Sequence, residues 1–540
     1  MPSTPTTKSQ VQAYQFVLRR MQSALVRKDA VMLHDPMRTH SRATIVGAVL
    51  SALAMLGFII FGVLKPAPKA PDQGIVIGEQ SGSIYVITGN PKKLIPTFNL
   101  ASARLMLMAQ QQQSAEGGAQ AAAGGVQVAE PQVVPDEQLK DIPRGRLQGI
   151  PDGPPLLPGK DQMISANWAV CDTVKLDDTL TDEVARQKST TETTVFAGMG
   201  DLGRELGQNE ALLAEAEDGK TYLVYRQKNT QAGQGNAVRA EVDMDDSAVR
   251  TALRLQQDQV RKISLGLLNA IPAVGELSTP DIQNRGETPS SYDIEALPIG
   301  QVFYTERTDG RTYYVVLENG IQEIPEAVAE MIRYDDTVGG SEMPSVAPDR
   351  VQSVPQLSEG EQGAIPVSHY PSVVPTVVDQ QVRPVSCLGW SVKGEGAERD
   401  AHTAVYVESQ LPGPKDAQGN PQLVNIGSPS PDGWKVDSFY MRPGYAAVVR
   451  SATTKETFGR GSIQLISDRG IRYSIPTAAT AEGLGFALGD LQPAPESIIK
   501  LLPVGASLNT QAVMRTFDSV QVDPNSGSFA DDGTQATAGE

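Results

Sequence analysis

The chain has 540 residues, with 46 basic against 63 acidic side chains and a net charge of −17, a balance that argues against nucleic acid as the main partner. Its length suits two to four domains. Aromatic residues are only 5% of the total, while 50 glycines and 38 prolines call for many turns and linkers.

The charge is uneven: residues 1–42 carry seven Lys/Arg and two acids, a net of +5, and the remainder carries −22. Within this basic arm, Tyr14, Val17, Leu18, Met21 and Leu25 recur at helical steps and predict an amphipathic helix over 8–33. Arg19, Arg20, Arg27 and Lys28 lie among them. Such a helix lies on anionic lipid or docks on a partner. Asp35-Pro36 is expected to end it.

Residues 43–64, ATIVGAVLSALAMLGFIIFGVL, run for 22 positions without a charge, enough for one membrane-crossing helix. A cleaved signal peptide would have a shorter apolar region and a small-residue cleavage site, whereas Lys65-Pro66-Ala67-Pro68-Lys69 follows here. The positive-inside rule puts 1–42 in the cytoplasm and 65–540 on the outer side. Cys171 and Cys387 both fall on that side, 216 positions apart. An oxidising compartment favours one long-range disulfide between them, the other reading being two buried thiols.

Beyond the membrane segment a unit recurs: a strand, a tight turn, a short strand and a helix. It is read at GSIYVI (82–87) through LASARLML (100–107), and at GRTYYVVL (310–317) through EAVAEMI (326–332). It returns at GSIQLI (461–466) with a weaker helical run to Phe486. A looser copy has TYLVY (221–225), AVRAEV (237–242) and a helix capped near Asp245-Asp246-Ser247, with Val249, Leu253, Val260 and Ile263 as its apolar face. Gln/Ala/Gly-rich 110–130 reads as a flexible insertion, 131–160 as extended along a surface and 334–384 as irregular. Residues 520–540 read as a disordered acidic tail.

The expected fold is α+β: a cytoplasmic helix, one transmembrane helix, and an extracytoplasmic β-rich central domain with four small hairpin–helix modules. The boundaries are 1–42 cytoplasmic, 43–64 transmembrane, 65–109 stalk and module 1, 110–160 insertion and extended segment, and 161–210 first part of the central domain. There follow 211–272 module 2, 273–333 linker and module 3, 334–444 second part of the central domain, 445–519 module 4 with a C-terminal helix, and 520–540 tail.

Catalytic signatures are missing. The four histidines, His34, His40, His369 and His402, have no metal-ligand spacing, and G-x-S-x-G does not occur. Gly219-Lys220-Thr221 has only the end of a phosphate-binding loop, with Ala214 where its first glycine belongs. The adjacent acid pairs Asp177-Asp178, Glu217-Asp218, Asp245-Asp246, Asp335-Asp336 and Asp531-Asp532 fall in turns, loops or the tail. No catalytic, cofactor or metal residue is assigned, and the chain is read as a non-enzyme.

HDPMRTHSR (34–42) before the membrane segment, and QVQAYQFVLRRMQSALVRKD (10–29) upstream, resemble the corresponding parts of the EccB family of type VII (ESX) secretion. The resemblance continues, in family order, through DQGIVIGEQSGSIYVI (72–87), PRGRLQGIPDGP (143–154), WAVCD (168–172), GLLNAIP (266–272), CLGW (387–390) and LLPVGASLNTQAV (501–513). The insertion at 110–130 and the loop GPKDAQGNPQ (413–422) depart from it. The resemblance implies a core subunit of an ESX inner-membrane complex with EccC, the cytoplasmic ATPase, and with EccD and EccE, a mycosin protease outside, and homo-oligomerisation. It implies wall-binding-like repeats with peptidoglycan as a possible contact, and a proposed ATPase activity for which these residues offer no site. Arg19, Arg20, Arg27 and Lys28 are the expected cytoplasmic docking residues. The alternatives are a single-pass wall-binding anchor and an extracytoplasmic hydrolase.

Overall fold

The computed structural model describes residues 7–28, 36–64, 69–89, 91–116, 128–176, 188–227, 237–308, 310–335, 342–394, 398–427, 434 and 436–519. The chain forms two units, Met1–Lys69 and Ala70–Glu540. The tail at 520–540, most of the stalk at 65–68 and the turn residue Asn90 lie outside the described residues.

The first unit holds two helices, α1 (Lys8–Arg27) and α2 (Pro36–Leu64). α1 stops six residues short of the expected end because Lys28 turns left-handed at φ 53° and closes it. α2 starts at Pro36, earlier than the apolar run, since proline suits a first helical turn. Its apolar stretch Arg42–Gly62 is long enough to cross a membrane. Ile45, Val49, Leu53, Leu56, Phe58, Ile60 and Phe61 are all exposed, so the helix is apolar all round, as lipid requires.

The second unit is β-rich, with five sheets among the described residues. The central sheet runs β20 (Val424–Asn425), β21 (Ser438–Tyr440), β7 (Thr190–Ala197), β6 (Asn167–Lys175), β18 (Val385–Lys393), β19 (Asp400–Glu408) and β8 (Arg204–Glu205). The other four sheets share one plan. In the first, β1 (Gly74–Gly78), β2 (Ile84–Thr88) and β3 (Lys93–Thr97) form an antiparallel meander, followed by α3 (Leu100–Glu116). Then β4 (Gln132–Val134) returns parallel to β1. Leu94 on β3 donates its N–H to the Pro143 carbonyl at 2.8 Å and accepts from the Gly145 N–H at 2.9 Å. β5 (Leu147–Gln148) and β26 (Thr516–Phe517) complete this sheet.

The second meander is β9 (Glu210–Glu215), β10 (Thr221–Arg226) and β11 (Ala237–Val242), then α4 (Ser247–Ala252). β12 (Arg261–Lys262) returns along β9, as does β17 (Thr376–Val377), and α5 (Leu265–Ala270) follows β12. Arg239 on β11 bonds Pro272 and Val274 as Leu94 bonds Pro143 and Gly145. The third is β13 (Val302–Arg307), β14 (Gly310–Leu317) and β15 (Gly320–Ile324), then α6 (Glu326–Tyr334). Tyr304 bonds the Pro344 carbonyl and the Val346 N–H; α7 (Pro348–Gln352) follows, and β16 (Gln356–Leu357) pairs with β15. The fourth is β22 (Ala446–Ala452), β23 (Ile463–Ser467) and β24 (Arg472–Ile475), then α8 (Ala478–Gly483). β25 (Gln492–Pro495) returns along β22, α9 (Glu496–Ile499) follows, and Arg472 bonds Pro503 and Gly505. In each sheet both outer strands of the meander are covered by this returning segment, which protects them from pairing with another chain. Proline has no N–H to leave unpaired there and offers only its carbonyl.

The cores are nested. One joins the first and fourth meanders through residues such as Leu105, Met106, Leu465 and Phe486. Another joins the second and third through Leu223, Leu253, Val328 and Met331. The largest puts α5 and α9 on one face of the central sheet, with Leu267, Leu268, Ile498 and Ile499 against Trp168, Val170 and Leu388.

Several expectations are corrected here. Residues 110–116 are helical rather than part of a flexible insertion, since glutamine and alanine are good helix formers; 117–127 lie outside the described residues. The helix after Asp246 ends at Ala252, so Val260 and Ile263 flank β12 instead of sharing its face with Val249 and Leu253. The stretch 131–160 is built into the first sheet, with Val134, Leu139 and Ile150 buried. The stretch 334–384 contains α7, β16 and β17, held by tertiary pairing. After β25 the described residues hold α9, one short 3-10 turn and β26, so the expected C-terminal helix is four residues long.

Candidate functional site

Alternation along β6 sends Trp168, Val170 and Asp172 to the face that α5 and α9 cover, and Ala169 and Cys171 to the other. Cys171 stands directly opposite Cys387 on β18, and the two are bonded, with Cα atoms 4.0 Å apart. Asp172 is the exception on its face: a carboxylate with no exposed surface in an apolar layer. Burial of a charge is tolerated only with partners. It has three. The Thr193 hydroxyl of β7 donates to Oδ1 at 2.9 Å, the Ser264 hydroxyl donates to Oδ1 at 2.8 Å, and the Ser264 N–H donates to Oδ2 at 2.7 Å. Ser264 in turn caps α5, accepting from the Leu267 N–H at 3.1 Å. One carboxylate therefore ties the central sheet to the helix that seats the second meander.

Asp437 lies beside this group and accepts the Thr193 N–H at 2.8 Å. Burial, partly offset by the Ser264 and Thr193 hydrogen bonds and reinforced by Asp437, pushes the Asp172 carboxyl up to about 6. Thr193, Ser264 and Asp437 also line a cleft of about 630 Å³ together with Glu215, Lys262 and Trp434. Lys262 is paired with Glu215 at 2.9 Å, and Lys500 sits 4.4 Å from the centre of the Trp434 ring. Asp172, Ser264, Thr193 and Asp437 were not singled out by sequence. The available signal was an acid inside the apolar run of WAVCD at a core-facing position.

The other sequence-marked residues are scattered. Gly219 (φ 80°) turns the β9–β10 hairpin, and Lys220 leads into a strand with its ammonium held by both Glu241 oxygens at 2.7 and 2.9 Å. A phosphate cradle needs a strand-to-helix turn and a free lysine, so this turn is not one. Asp246 caps α4, accepting from Ala248 and Val249. Asp335 pairs with Arg285. His369 lies tilted against Tyr370, with centroids 4.2 Å apart, and His402 lies on β19; burial lowers the pKa of both. Among the described residues, no group of three or more His, Cys, Asp or Glu is placed to hold a metal. Arg19, Arg20, Arg27 and Lys28 are exposed on α1 or its cap. His40 falls on the first turns of α2. His34, Asp177, Asp178, Asp336, Asp531 and Asp532 lie outside the described residues.

A family profile described as "Type VII secretion system ESX-1, transport TM domain B" matches residues 3–522. The chain is similar to "ESX-3 secretion system ATPase EccB3" of Mycolicibacterium smegmatis, at 28% identity over 96% of this chain and 92% of that one. It is also similar to "ESX-1 secretion system ATPase EccB1" of Mycobacterium tuberculosis, at 28% identity over 96% of each. Among solved structures, a chain of an intact ESX-5 inner membrane complex shares the fold with a TM-score of 0.65, 24% identity and coverage of 98% and 99%. A chain of the EccB3 dimer from the ESX-3 core complex matches with a TM-score of 0.62 and 25% identity over 82% of this chain and 100% of that one.

Proposed function

Since this chain belongs to the EccB family of type VII secretion membrane proteins, we propose how its parts serve the secretion machinery. The chain is a core structural subunit of a type VII secretion system. The family match across residues 3–522 carries this reading, and the all-round apolar α2 supports membrane insertion. α2 spans the inner membrane once, α1 lies in the cytoplasm, and Ala70–Glu540 lies on the outer side; the charge excess before α2 supports that orientation. Arg19, Arg20, Arg27 and Lys28 dock α1 on cytoplasmic parts of neighbouring subunits. Gly47, Ala48, Ser51, Ala54 and Gly57 allow α2 to approach other membrane helices closely.

The outer unit is a central domain, 167–205 with 385–440, surrounded by four repeat modules at 74–145, 210–274, 302–357 and 446–505. The first and third modules reach past the sequence-based ends at 109 and 333, because the returning strand and the x-Pro segment complete each meander, whereas the fourth lies within 445–519. The outer unit assembles with its own copies, and the chain as a whole assembles within the complex with EccC, EccD, EccE and a mycosin protease. The relatives' names include "ATPase". Our reading gives this chain no hydrolytic role, and the engagement of Lys220 by Glu241 supports that.

Native-gel electrophoresis of gently solubilised membranes, with mass spectrometry of the band, tests the reading. A very large assembly containing an ATPase and other membrane subunits is expected. Arg19→Glu with Arg20→Glu is expected to lower its yield without unfolding the outer unit. A free monomer in the unsubstituted protein would refute the reading, and undiminished yield in the double variant would refute the docking role.

A further inference from the structure

The junction at Asp172 has the construction of a switch. A titratable group with no exposed surface is the polar link between the central sheet and α5. Around it the layer is apolar: Trp168, Val170 and Leu388 below, Leu267, Ile498 and Leu501 above. Gly266 of α5 lies within ordinary contact distance of Leu501, so α5 and the segment after α9 pack directly on each other beside the cleft. Opening the seat moves Ser264 away from the carboxyl and admits water to it.

We infer that Asp172 is a proton-operated latch that seats the second meander on the central sheet, tightening when Asp172 is protonated and loosening when it ionises. The charged groups on the surrounding elements leave Asp172 as the responding one. Asp437, before β21, acts on it directly and opposes its ionisation. Lys262 of β12 is neutralised by Glu215 of β9 at 2.9 Å. On β6 and β7, Lys175 and Glu192 pair at 3.3 Å. At the start of α9 Glu496 is exposed, and Lys500, just past its end, lies on Trp434. Opposite Asp172 on β18 stands the uncharged Ser386.

The sign follows from linkage. In the open state the carboxyl returns to its ordinary value near 3.8, while in the closed state it titrates at about 6. The closed state therefore holds its proton more tightly. Its advantage is full below the ordinary value and is lost as pH rises through the closed-state value. Between pH 5.0 and 7.5 the opening constant rises about tenfold on these values. The latch operates whether or not the chain is part of a secretion complex.

The test is hydrogen exchange by mass spectrometry on the full chain in detergent across pH 4.5–8, corrected for intrinsic rates. Peptides over β12 and α5 report the latch, and peptides over β1–β3 serve as the control. Opening of α5 is expected to increase about tenfold between pH 5.0 and 7.5, with a midpoint near the closed-state value, while the control stays flat. Asp172→Asn, whose amide can serve the same three partners, is expected to abolish the dependence. Asp437→Asn, which removes the opposing charge, is expected to move the midpoint down. A wild-type profile for α5 that parallels the control overturns the inference, and so does a pH dependence that survives in Asp172→Asn. If Asp172→Asn does not fold, the wild-type profile and Asp437→Asn decide.

Discussion

Replacing Cys171 and Cys387 together by Ala removes the one covalent tie between distant parts of the chain among the described residues. The bond closes a loop of 216 residues, and on the chain-entropy account a loop of that length is worth roughly 5 kcal/mol. Both sulfur positions are buried among Ala169, Phe196, Leu202 and Val385, so alanine introduces no unpaired polar group. An unfolding entropy of about 2 cal/mol/K per residue, over roughly 450 residues, gives about 0.9 kcal/mol per degree. The melting temperature of the full chain in detergent, followed by intrinsic fluorescence, should therefore fall by about 5 °C. The Ser pair should fall further, since two hydroxyls enter an apolar cluster at about 1–3 kcal/mol each. Intact mass before and after reduction checks that the wild-type bond is formed. A formed bond with a shift below about 1 °C in the Ala pair would refute the reasoning, because the β6–β18 pairing would then hold without the crosslink.

Two substitutions probe single contacts. Gly461→Ala would bring a Cβ to 1.6 Å from the Ser451 carbonyl oxygen, a backbone atom that cannot turn aside. The fourth meander must distort, and a loss of about 3 kcal/mol is expected in urea unfolding. Asp246→Ala removes the acceptor for the Ala248 and Val249 N–H groups at 2.8 and 3.2 Å. About 1 kcal/mol should be lost, with faster hydrogen exchange confined to the start of α4.

Signals that depend on near neighbours in the chain were legible. The uncharged run at 43–64, the cap at Asp246 and the glycine turn at Gly219 (φ 80°) are each specified within a few residues. The returning strands β4, β12, β16 and β25 are only two to four residues long, too short for any periodicity to show. Their conformation is imposed by the strand they cover, and Pro143, Pro272, Pro344 and Pro503 likewise read as linker punctuation while they complete four sheets. Asp172 was hidden for a related reason. WAVCD and GLLNAIP were two weak fragments nearly a hundred positions apart, and only the fold brings Asp172 to Ser264, at the threshold of the second fragment.

The nesting of the chain makes a last, sharper demand on the structure. The second and third meanders share one core and are inserted between β6 and β18, whose pairing and disulfide close off the insertion. The first and fourth share another core. A defect at the seat of the insertion should therefore release the second and third meanders as a unit and leave the rest folded. Leu267 of α5 is buried between the central sheet and α9, and Leu267→Ala should cost about 2–5 kcal/mol through lost burial and the cavity left behind. In mild denaturant, hydrogen exchange should then rise together over 210–370, including the α4 and α6 peptides far from the substitution, while β1–β3 and β22–β24 keep their protection. Loss of protection across all five sheets at one denaturant concentration would show that the seat is part of a single cooperative core and that the nesting has no mechanical meaning. Loss limited to α5 would show instead that the shared core of the second and third meanders outlasts its attachment, which would equally refute release as a unit.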